Sequence, residues 1–338
     1  MADDGRAQGV RAARQGHAQA QRVRQLRGAR ALSSATVLVV TWEGAHLLPA
    51  CLDAVLPEGA PVLVVDNAST DGTADLLASR YPQVQVVRTA ANLGFAGGVV
   101  TGLEHVTTPY VVLLNSDATV RSGWLKELLK PLEDPLVAAV TSKLLLPDGR
   151  LNSAGGYLEP TGYGHDLGFG EPDCDLPPAD VAYGCGAALA LRMDAVREVG
   201  GMDPKYFLYY EDVDLSWRLW LAGYRVVFQP TAVVEHQHSA TTGGGKALLH
   251  TYFTERNRLA TLVTCATWGL AVRMLLRYPL TTLSVALGES RAKAWARARA
   301  LGSLLVWLPT LLKRRRAVVT RLSRQAYEAR FLSAPSIR

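Results

Sequence analysis

Four short apolar runs constrain the fold of this chain more than any other feature. They are Thr36-Val-Leu-Val-Val-Thr41, Pro61-Val-Leu-Val-Val-Asp66, Val84–Val87 and Tyr110-Val-Val-Leu-Leu-Asn115. An unbroken apolar run of this kind suits a parallel strand buried on both faces. Helical stretches lie between the runs, roughly over 45–55, 73–80 and 97–106. Strand and helix in alternation predict an α/β doubly wound sheet. Ligands of such sheets bind outside the carboxyl ends of the strands. Polar residues stand at those ends here: Thr41 and Glu43, Asp66 and Asn67, Asn115 and Asp117.

Charge divides the chain unevenly. Of the net +6, residues 1–34 carry +5 and residues 259–338 carry +12, which leaves −11 on 35–258. The candidate site lies in that acidic middle, which disfavours a nucleic-acid partner. The basic ends point instead to an anionic surface such as phospholipid headgroups. Trp268, Trp295 and Trp307 lie among the C-terminal arginines, ahead of Lys313-Arg-Arg-Arg316. That composition suits an interfacial helix, and equally a packed helical tail with a solvated basic face. Uncharged stretches at 259–272, 278–288 and 300–312 fall short of the roughly 20 residues that span a bilayer. A chain that touches a membrane without crossing it is expected, at the inner face of the cell membrane. The four cysteines have no metal-binding spacing and read as reduced thiols of a cytoplasmic protein. The Arg- and Ala-rich N-terminus lacks the apolar core of a signal peptide. The expected organisation is a flexible basic arm over 1–33, an α/β domain over 34–245 and a basic helical extension over 246–338. Residues 144–182, rich in Gly, Pro, Asp and Tyr, read as long irregular loops.

The motifs follow the strands. In Asp66-Asn-Ala-Ser-Thr-Asp-Gly-Thr73, Asp71 suits an N-cap and Gly72 a turn. Asp66 and Asn67, at the very end of the strand, are less well explained that way, and a carboxylate there can accept the imide N–H of uracil or thymine. Asn92-Leu-Gly-Phe-Ala-Gly-Gly98 is a Gly-rich loop opening a helix; its amides can meet a diphosphate or simply make a turn. Asn115 and Asp117 have the spacing of oxygen ligands for Mg²⁺ or Mn²⁺, or of an ordinary turn. Tyr209-Tyr-Glu-Asp-Val-Asp-Leu-Ser-Trp-Arg218 places Glu211, Asp212 and Asp214 in the first turn of an amphipathic helix. Acids are favoured there by the helix dipole, which is also expected to keep a general base ionised. Asp214 and Arg218, four apart, are expected to pair. Glu211 and Asp212 remain as candidate bases. His236 and His238 end a later strand on one face, and Arg256-Asn257 offers cations to an anionic ligand or lies on a solvated helix face.

Together these pieces resemble the family 2 glycosyltransferases of the GT-A fold, from about Thr36 to Asn257. The residues in family order are Val39-Val-Thr-Trp-Glu43, Val64–Gly72, Asn92-Leu-Gly-Phe-Ala-Gly97, Leu114-Asn-Ser-Asp117, Gly184–Leu191, Gly200-Gly-Met-Asp203, Phe207–Arg218 and His236. The subgroup is similar to bacterial rhamnosyltransferases of the cell envelope. The resemblance implies a GT-A mixed sheet with a C-terminal helical extension. It implies Thr41, Glu43, Asp66, Asn67, Asn92, Gly94 and Phe95 in a nucleotide-sugar pocket. Asp117 would bind a divalent cation, Mg²⁺ or Mn²⁺, with His236 a further ligand. Asp212, with Glu211 beside it, would deprotonate an acceptor hydroxyl for inverting transfer, and Gly186 and Ala187 would narrow the acceptor channel. The implied partners are a dTDP-rhamnose or UDP-sugar donor and a lipid-linked or polysaccharide acceptor. The motif reads Asn-Ser-Asp rather than Asp-x-Asp, and Ala-Gly-Gly-Val-Val follows Phe95 where Gly-Asn-Asn is usual.

Two other classes are considered. A sugar-phosphate nucleotidyltransferase shares the fold neighbourhood but wants a Gly-rich, Arg/Lys-bearing loop, which is absent after Thr41. A catalytically degenerate, membrane-associated scaffold sits poorly with the joint presence of Asp66, Asp117 and Asp212.

Overall fold

The computed structural model describes residues 34–237 and 247–332. The arm over 1–33 and His238 lie outside the described residues. The chain begins with β1 (Ala35–Thr41), α1 (Leu48–Val55), β2 (Val62–Asp66), α2 (Thr73–Arg80), β3 (Gln85–Arg88), α3 (Gly94–Leu103) and β4 (Tyr110–Asn115). The four strands are parallel, in the order β3-β2-β1-β4. Successive residues of a strand face opposite sides, which is why the runs of β1, β2 and β4 are unbroken; β3, at the edge of the sheet, is largely exposed and corrects the expectation that its run is buried on both faces. Val37, Val39, Val62 and Val64 pack with Leu48 and Leu52 on one face. Leu38, Val40, Leu63 and Val65 pack with Ala96 and Val99 on the other.

After β4 the chain forms β5 (Ala118–Val120), α4 (Trp124–Leu129), β6 (Val137–Leu145) and β7 (Leu151–Ser153). A hairpin of β8 (Gly156–Leu158) and β9 (Gly164–Asp166) precedes β10 (Ala179–Asp180) and β11 (Ala188–Arg192). Then come α5 (Met193–Glu198), α6 (Glu211–Leu221) and β12 (Arg225–His236). The full order, β10-β12-β6-β11-β4-β1-β2-β3, is mixed because β11 runs antiparallel to both β4 and β6. The stretch expected to be irregular loops thus contributes four short strands. The strand expected at Tyr224–Phe228 continues to His236, with its register slipping on β6 between Gln229 and Val233, around Pro230. Proline has no N–H for the ladder, so a slip there is the natural outcome.

Four helices close the chain: α7 (Ala247–Cys265), α8 (Trp268–Gly288), α9 (Arg291–Ala317) and α10 (Arg324–Phe331). Leu259, Leu262, Trp307, Tyr327 and Phe331 join the same apolar cluster as Trp217 and Trp220 of α6. The Trp217 and Tyr327 rings stack with centroids 4.5 Å apart. Burial of each such large side chain contributes about 1.5–3 kcal/mol, so these helices help to fix α6. The uncharged stretches at 268–272 and 278–288 are joined through Arg273, Arg277 and Pro279 into the single helix α8. By length and composition alone this 21-residue helix suffices to cross a membrane, which corrects the expectation that every stretch is too short.

Candidate active site

The carboxyl ends of β1 and β2 are laced together: the Asn67 N–H donates to the Thr41 carbonyl at 2.9 Å. Glu43, in left-handed backbone (φ +52°), accepts from the Thr70 N–H at 2.9 Å and its hydroxyl at 3.1 Å. Asp66 is fully buried. Its Oδ1 accepts from the Ser69 N–H at 2.9 Å. Its Oδ2 and the buried Thr41 hydroxyl have no hydrogen-bond partner among the described residues, although Arg88 Nε lies 3.6 Å from that Oδ2. Buried polar atoms are rarely left unmatched, so this corner is suited to a ligand that donates a proton. The N-cap of α2 is Gly72 (φ +90°) rather than the expected Asp71; Asp71, one residue earlier, accepts from the Thr73 N–H and hydroxyl and from the Ala45 N–H, which fixes the turn.

The Gly-rich loop behaves differently from its sequence reading. Asn92 Oδ1 accepts the Gly94 N–H at 2.8 Å, and the Ala96 N–H donates to the Phe207 carbonyl at 3.1 Å. Two amides expected to meet a diphosphate are therefore already committed to the protein. Gly94 (φ +69°) is required by the close approach of a second loop, since a Cβ there would stand 2.4 Å from the Phe207 oxygen. Asn67 Nδ2 donates to the Gly94 carbonyl at 2.8 Å, tying this loop to the end of β2.

Beyond β4, Asp117 Oδ1 lies 3.2 Å from His236 Nε2. The other ring nitrogen, Nδ1, is 2.7 Å from Asn152 Oδ1. An amide oxygen can only accept, so Nδ1 carries the proton and Nε2 faces the carboxylate and the Asn115 amide at 3.4 Å. A histidine fixed this way through its far nitrogen is the usual arrangement of a metal ligand. Asp117 and His236 fit a divalent cation as a two-residue set. No cluster of three or more His, Cys, Asp or Glu ligands occurs among the described residues, and Mg²⁺-type sites commonly rely on one or two carboxylates completed by phosphates and water.

The three acids that open α6 separate completely. Asp214 is buried against Arg218 (2.6 Å) and Arg314 (3.1 Å); although burial alone would raise its carboxyl, the two guanidinium groups hold it below the usual range. Glu211 is also buried, with Oε2 unpartnered among the described residues. Burial first, and the Asp212 charge second, push it well above the ordinary value. Asp212 is half-buried. Its Oδ2 accepts the Gly186 N–H at 2.9 Å and its Oδ1 the Val213 N–H at 2.8 Å. Burial raises its pKa while those amides pull it down. The helix dipole was expected to keep these acids ionised; for Glu211 and Asp212 desolvation outweighs it.

Gly186 is the crossing point. A Cβ built on it would meet the Phe95 ring at 3.2 Å and Asp212 Oδ2 at 3.5 Å. The neighbouring Ala187 carbonyl accepts the Asn115 N–H at 2.9 Å. The loop 185–187 thus brings Asp212, Phe95 and the Asn115–Asp117 turn together. Asp166 of β9 was not anticipated from sequence. Burial, with the nearby charge of Asp212, pushes its carboxyl up to about 6 despite a hydrogen bond from Ser153. Its only sequence signal was its place in an aromatic, Gly-rich loop. Arg256 and Asn257 do not lie on a solvated helix face. Both are buried and donate to backbone carbonyls of residues 205–209. The four cysteines are free.

Residues 36–199 match the profile of glycosyl transferase family 2. The pre-mycofactocin glycosyltransferase of Mycobacterium tuberculosis is 38% identical over 182 residues, covering 53% of this chain and 38% of that protein. The chain therefore spans well under half the length of that relative. The N-acetylglucosaminyl-diphospho-decaprenol L-rhamnosyltransferase of the same species is 30% identical over 236 residues, covering 61% of this chain and 77% of that protein. Among solved structures, GalNAc-T7 with UDP, GalNAc and Mn²⁺ superposes with a TM-score of 0.63 at 15% identity, covering 88% of this chain and 56% of that one. The fold is GT-A. With a relative 30% identical and matched over 77% of its length, the chain belongs to glycosyltransferase family 2.

Proposed function

We propose that the chain transfers a glycosyl unit from a nucleoside-diphosphate sugar to an acceptor hydroxyl, with inversion at the anomeric carbon. The supporting observation is the Gly186 crossing, where the half-buried Asp212 carboxyl meets the loop that contacts both Phe95 and the Asn115–Asp117 turn. Asp66 and Thr41 offer unmatched acceptors for a pyrimidine imide, with Glu43, Asn67 and Asn92 holding the surrounding loops. Asp212 takes the acceptor hydroxyl proton as the acceptor oxygen bonds to the anomeric carbon. The bond from that carbon to the diphosphate oxygen breaks in the same step, and the nucleoside diphosphate leaves. Burial raises this carboxyl above its ordinary value, which strengthens the carboxylate as a proton acceptor. A divalent cation held by Asp117 and His236 would neutralise charge on the departing diphosphate.

The donor favoured is dTDP-rhamnose, in keeping with a relative named as a rhamnosyltransferase; a UDP-sugar is the alternative. The acceptor is a lipid-linked or envelope glycan, and the work takes place at the inner face of the cell membrane. Here α8 exposes Leu276, Leu280, Leu283 and Leu287 beside the exposed Arg273 and Arg277. An apolar stripe flanked by cations suits a helix lying in an anionic interface. The test uses purified full chain, nucleotide sugars with Mn²⁺, and a lipid-diphosphate-linked acceptor, with product anomers read by NMR. Transfer with inversion that is abolished by Asp212→Asn, with nucleotide binding retained, supports the proposal. Retained turnover in Asp212→Asn refutes the base, and pyrophosphate release would indicate nucleotidyl transfer instead.

A further inference from the structure

The segment that delivers Asp212 is conformationally strained. Phe207 (φ +65°, ψ −65°) centres a γ-turn closed by the Leu208 N–H on the Tyr206 carbonyl at 2.8 Å. Tyr209 (φ +67°) and Tyr210 (φ +71°) follow in left-handed backbone. Bulky residues rarely adopt these regions, and three within four positions persist only when the surroundings hold them. The holding groups lie on α7, some fifty residues later. The two N–H groups of Asn257 Nδ2 are shared among the carbonyls of Tyr206 (2.9 Å), Leu208 (2.8 Å) and Tyr209 (2.7 Å), one of them bifurcated. Arg256 donates to those of Lys205 (2.6 Å) and Tyr206 (2.9 Å). Arg256 Nε in turn donates to Asn257 Oδ1 at 2.9 Å, which fixes the amide so that its N–H groups face the turn.

The turn connects to both halves of the site. Its Phe207 carbonyl receives the Ala96 N–H of the Gly-rich loop, and Gly94 packs directly on it. At its other end Tyr210 leads straight into Glu211 and Asp212. We propose that Asn257 is a positioning residue: it clamps the strained 206–210 turn and so sets the Asp212 carboxylate against the Gly186 loop and the donor side. The proposal rests on Asp212 being the base. It makes the C-terminal helices part of the catalytic apparatus rather than an appendage, and displacing a reacting group by about 1 Å costs on the order of a hundredfold in rate.

The experiment compares Asn257→Ala with the native chain in the full transfer assay, alongside thermal unfolding and nucleotide titration. The expected result is a kcat lowered about 10- to 100-fold in protein that remains folded, with acceptor KM little changed. Adding Tyr209→Gly, which tolerates left-handed backbone without a clamp, should recover about tenfold in the Asn257→Ala background and little in the native one. If Asn257→Ala does not fold, Arg256→Met provides the same test with a smaller fall in kcat. Native kcat in a folded clamp variant, or a loss that Tyr209→Gly does not recover, overturns the proposal. Asp212→Asn retaining activity would instead overturn the base assignment beneath it.

Discussion

Arg218→Met should be among the most damaging single substitutions in the chain, and its cost can be worked from the contacts. Arg218 and Asp214 are almost fully buried, and the guanidinium makes two hydrogen bonds to Asp214 Oδ2, at 2.9 and 2.6 Å. It also donates to the carbonyls of Val199 (2.6 Å) and Gly201 (2.7 Å). Breaking a buried ion pair by removing one partner costs about 3–5 kcal/mol, because the other charge stays buried. Arg314 at 3.1 Å and the Tyr206 hydroxyl at 3.0 Å remain on Asp214 and offset part of that. The two orphaned carbonyls add about 1 kcal/mol or more each. A net loss of about 4 kcal/mol is a quarter or more of a typical stability of about 5–15 kcal/mol. Arg314→Met should cost less, about 1–2 kcal/mol, since Arg218 and the Tyr206 hydroxyl remain on Asp214. Urea denaturation gives both numbers, provided the slope of the transition is unchanged. Adding Asp214→Asn to Arg218→Met should cost much less than the sum of the singles. The low folded pKa of Asp214 gives stability that is present above its unfolded value of about 3.9 and lost as pH falls through the folded value. An Arg218→Met variant within 1 kcal/mol of native, or a double mutant that is simply additive, would refute this account.

Three further outcomes are expected. Asp117→Ala and His236→Ala should each weaken Mn²⁺-dependent nucleotide binding about tenfold or more; isothermal titration with and without Mn²⁺ checks this, and equal losses without the metal would count against the pair. Gly186→Ala keeps the N–H to Asp212 but inserts a methyl 3.2 Å from the Phe95 ring, so acceptor kcat/KM should fall about tenfold while thermal stability barely moves. Glu211→Gln should raise the melting temperature at pH 8 and leave it nearly unchanged at pH 4. Below the usual carboxylate range both states are protonated. Above it the unfolded chain ionises first while the buried carboxyl keeps its proton, so native stability declines with rising pH. A melting temperature at pH 8 below that of the native chain would contradict the unpartnered burial of Glu211.

The inner sheet was legible because β1, β2 and β4 are apolar on both faces and stop where polar residues start, so the runs ending at Thr41, Asp66 and Asn115 matched them within a residue. Helix α3 begins at Gly94 rather than 97, since its first amides are satisfied by Asn92 and by a carbonyl more than a hundred residues away. No local pattern announces such a partner. Arg256 and Asn257 were misread for the same reason: their targets are main-chain carbonyls of residues 205–209, which carry no sequence signature. The short strands β7, β8 and β9 were hidden by glycines and by their length, and Asp166 was hidden with them. The Asp214–Arg218 pair, by contrast, is local to one helix and followed from spacing.

The first turn of α6 shows why a cluster of acids cannot be assigned from helix position alone. Glu211, Asp212 and Asp214 share one dipole, yet their protonation is set by what each side chain reaches. Asp214 points at two guanidinium groups, and their charge outweighs desolvation. Glu211 Oε2 has no partner among the described residues, and the single backbone N–H that its carboxyl meets does not offset burial. Asp212 sits between these limits, raised by burial and restrained by the Gly186 and Val213 amides. Of the three, Asp212 alone is partly exposed, and its carboxyl is raised by burial without losing its hydrogen-bond donors. The Gly186 amide lowers the Asp212 pKa through its hydrogen bond, so a shift of the 185–187 loop would change that pKa as well as the position of the carboxyl.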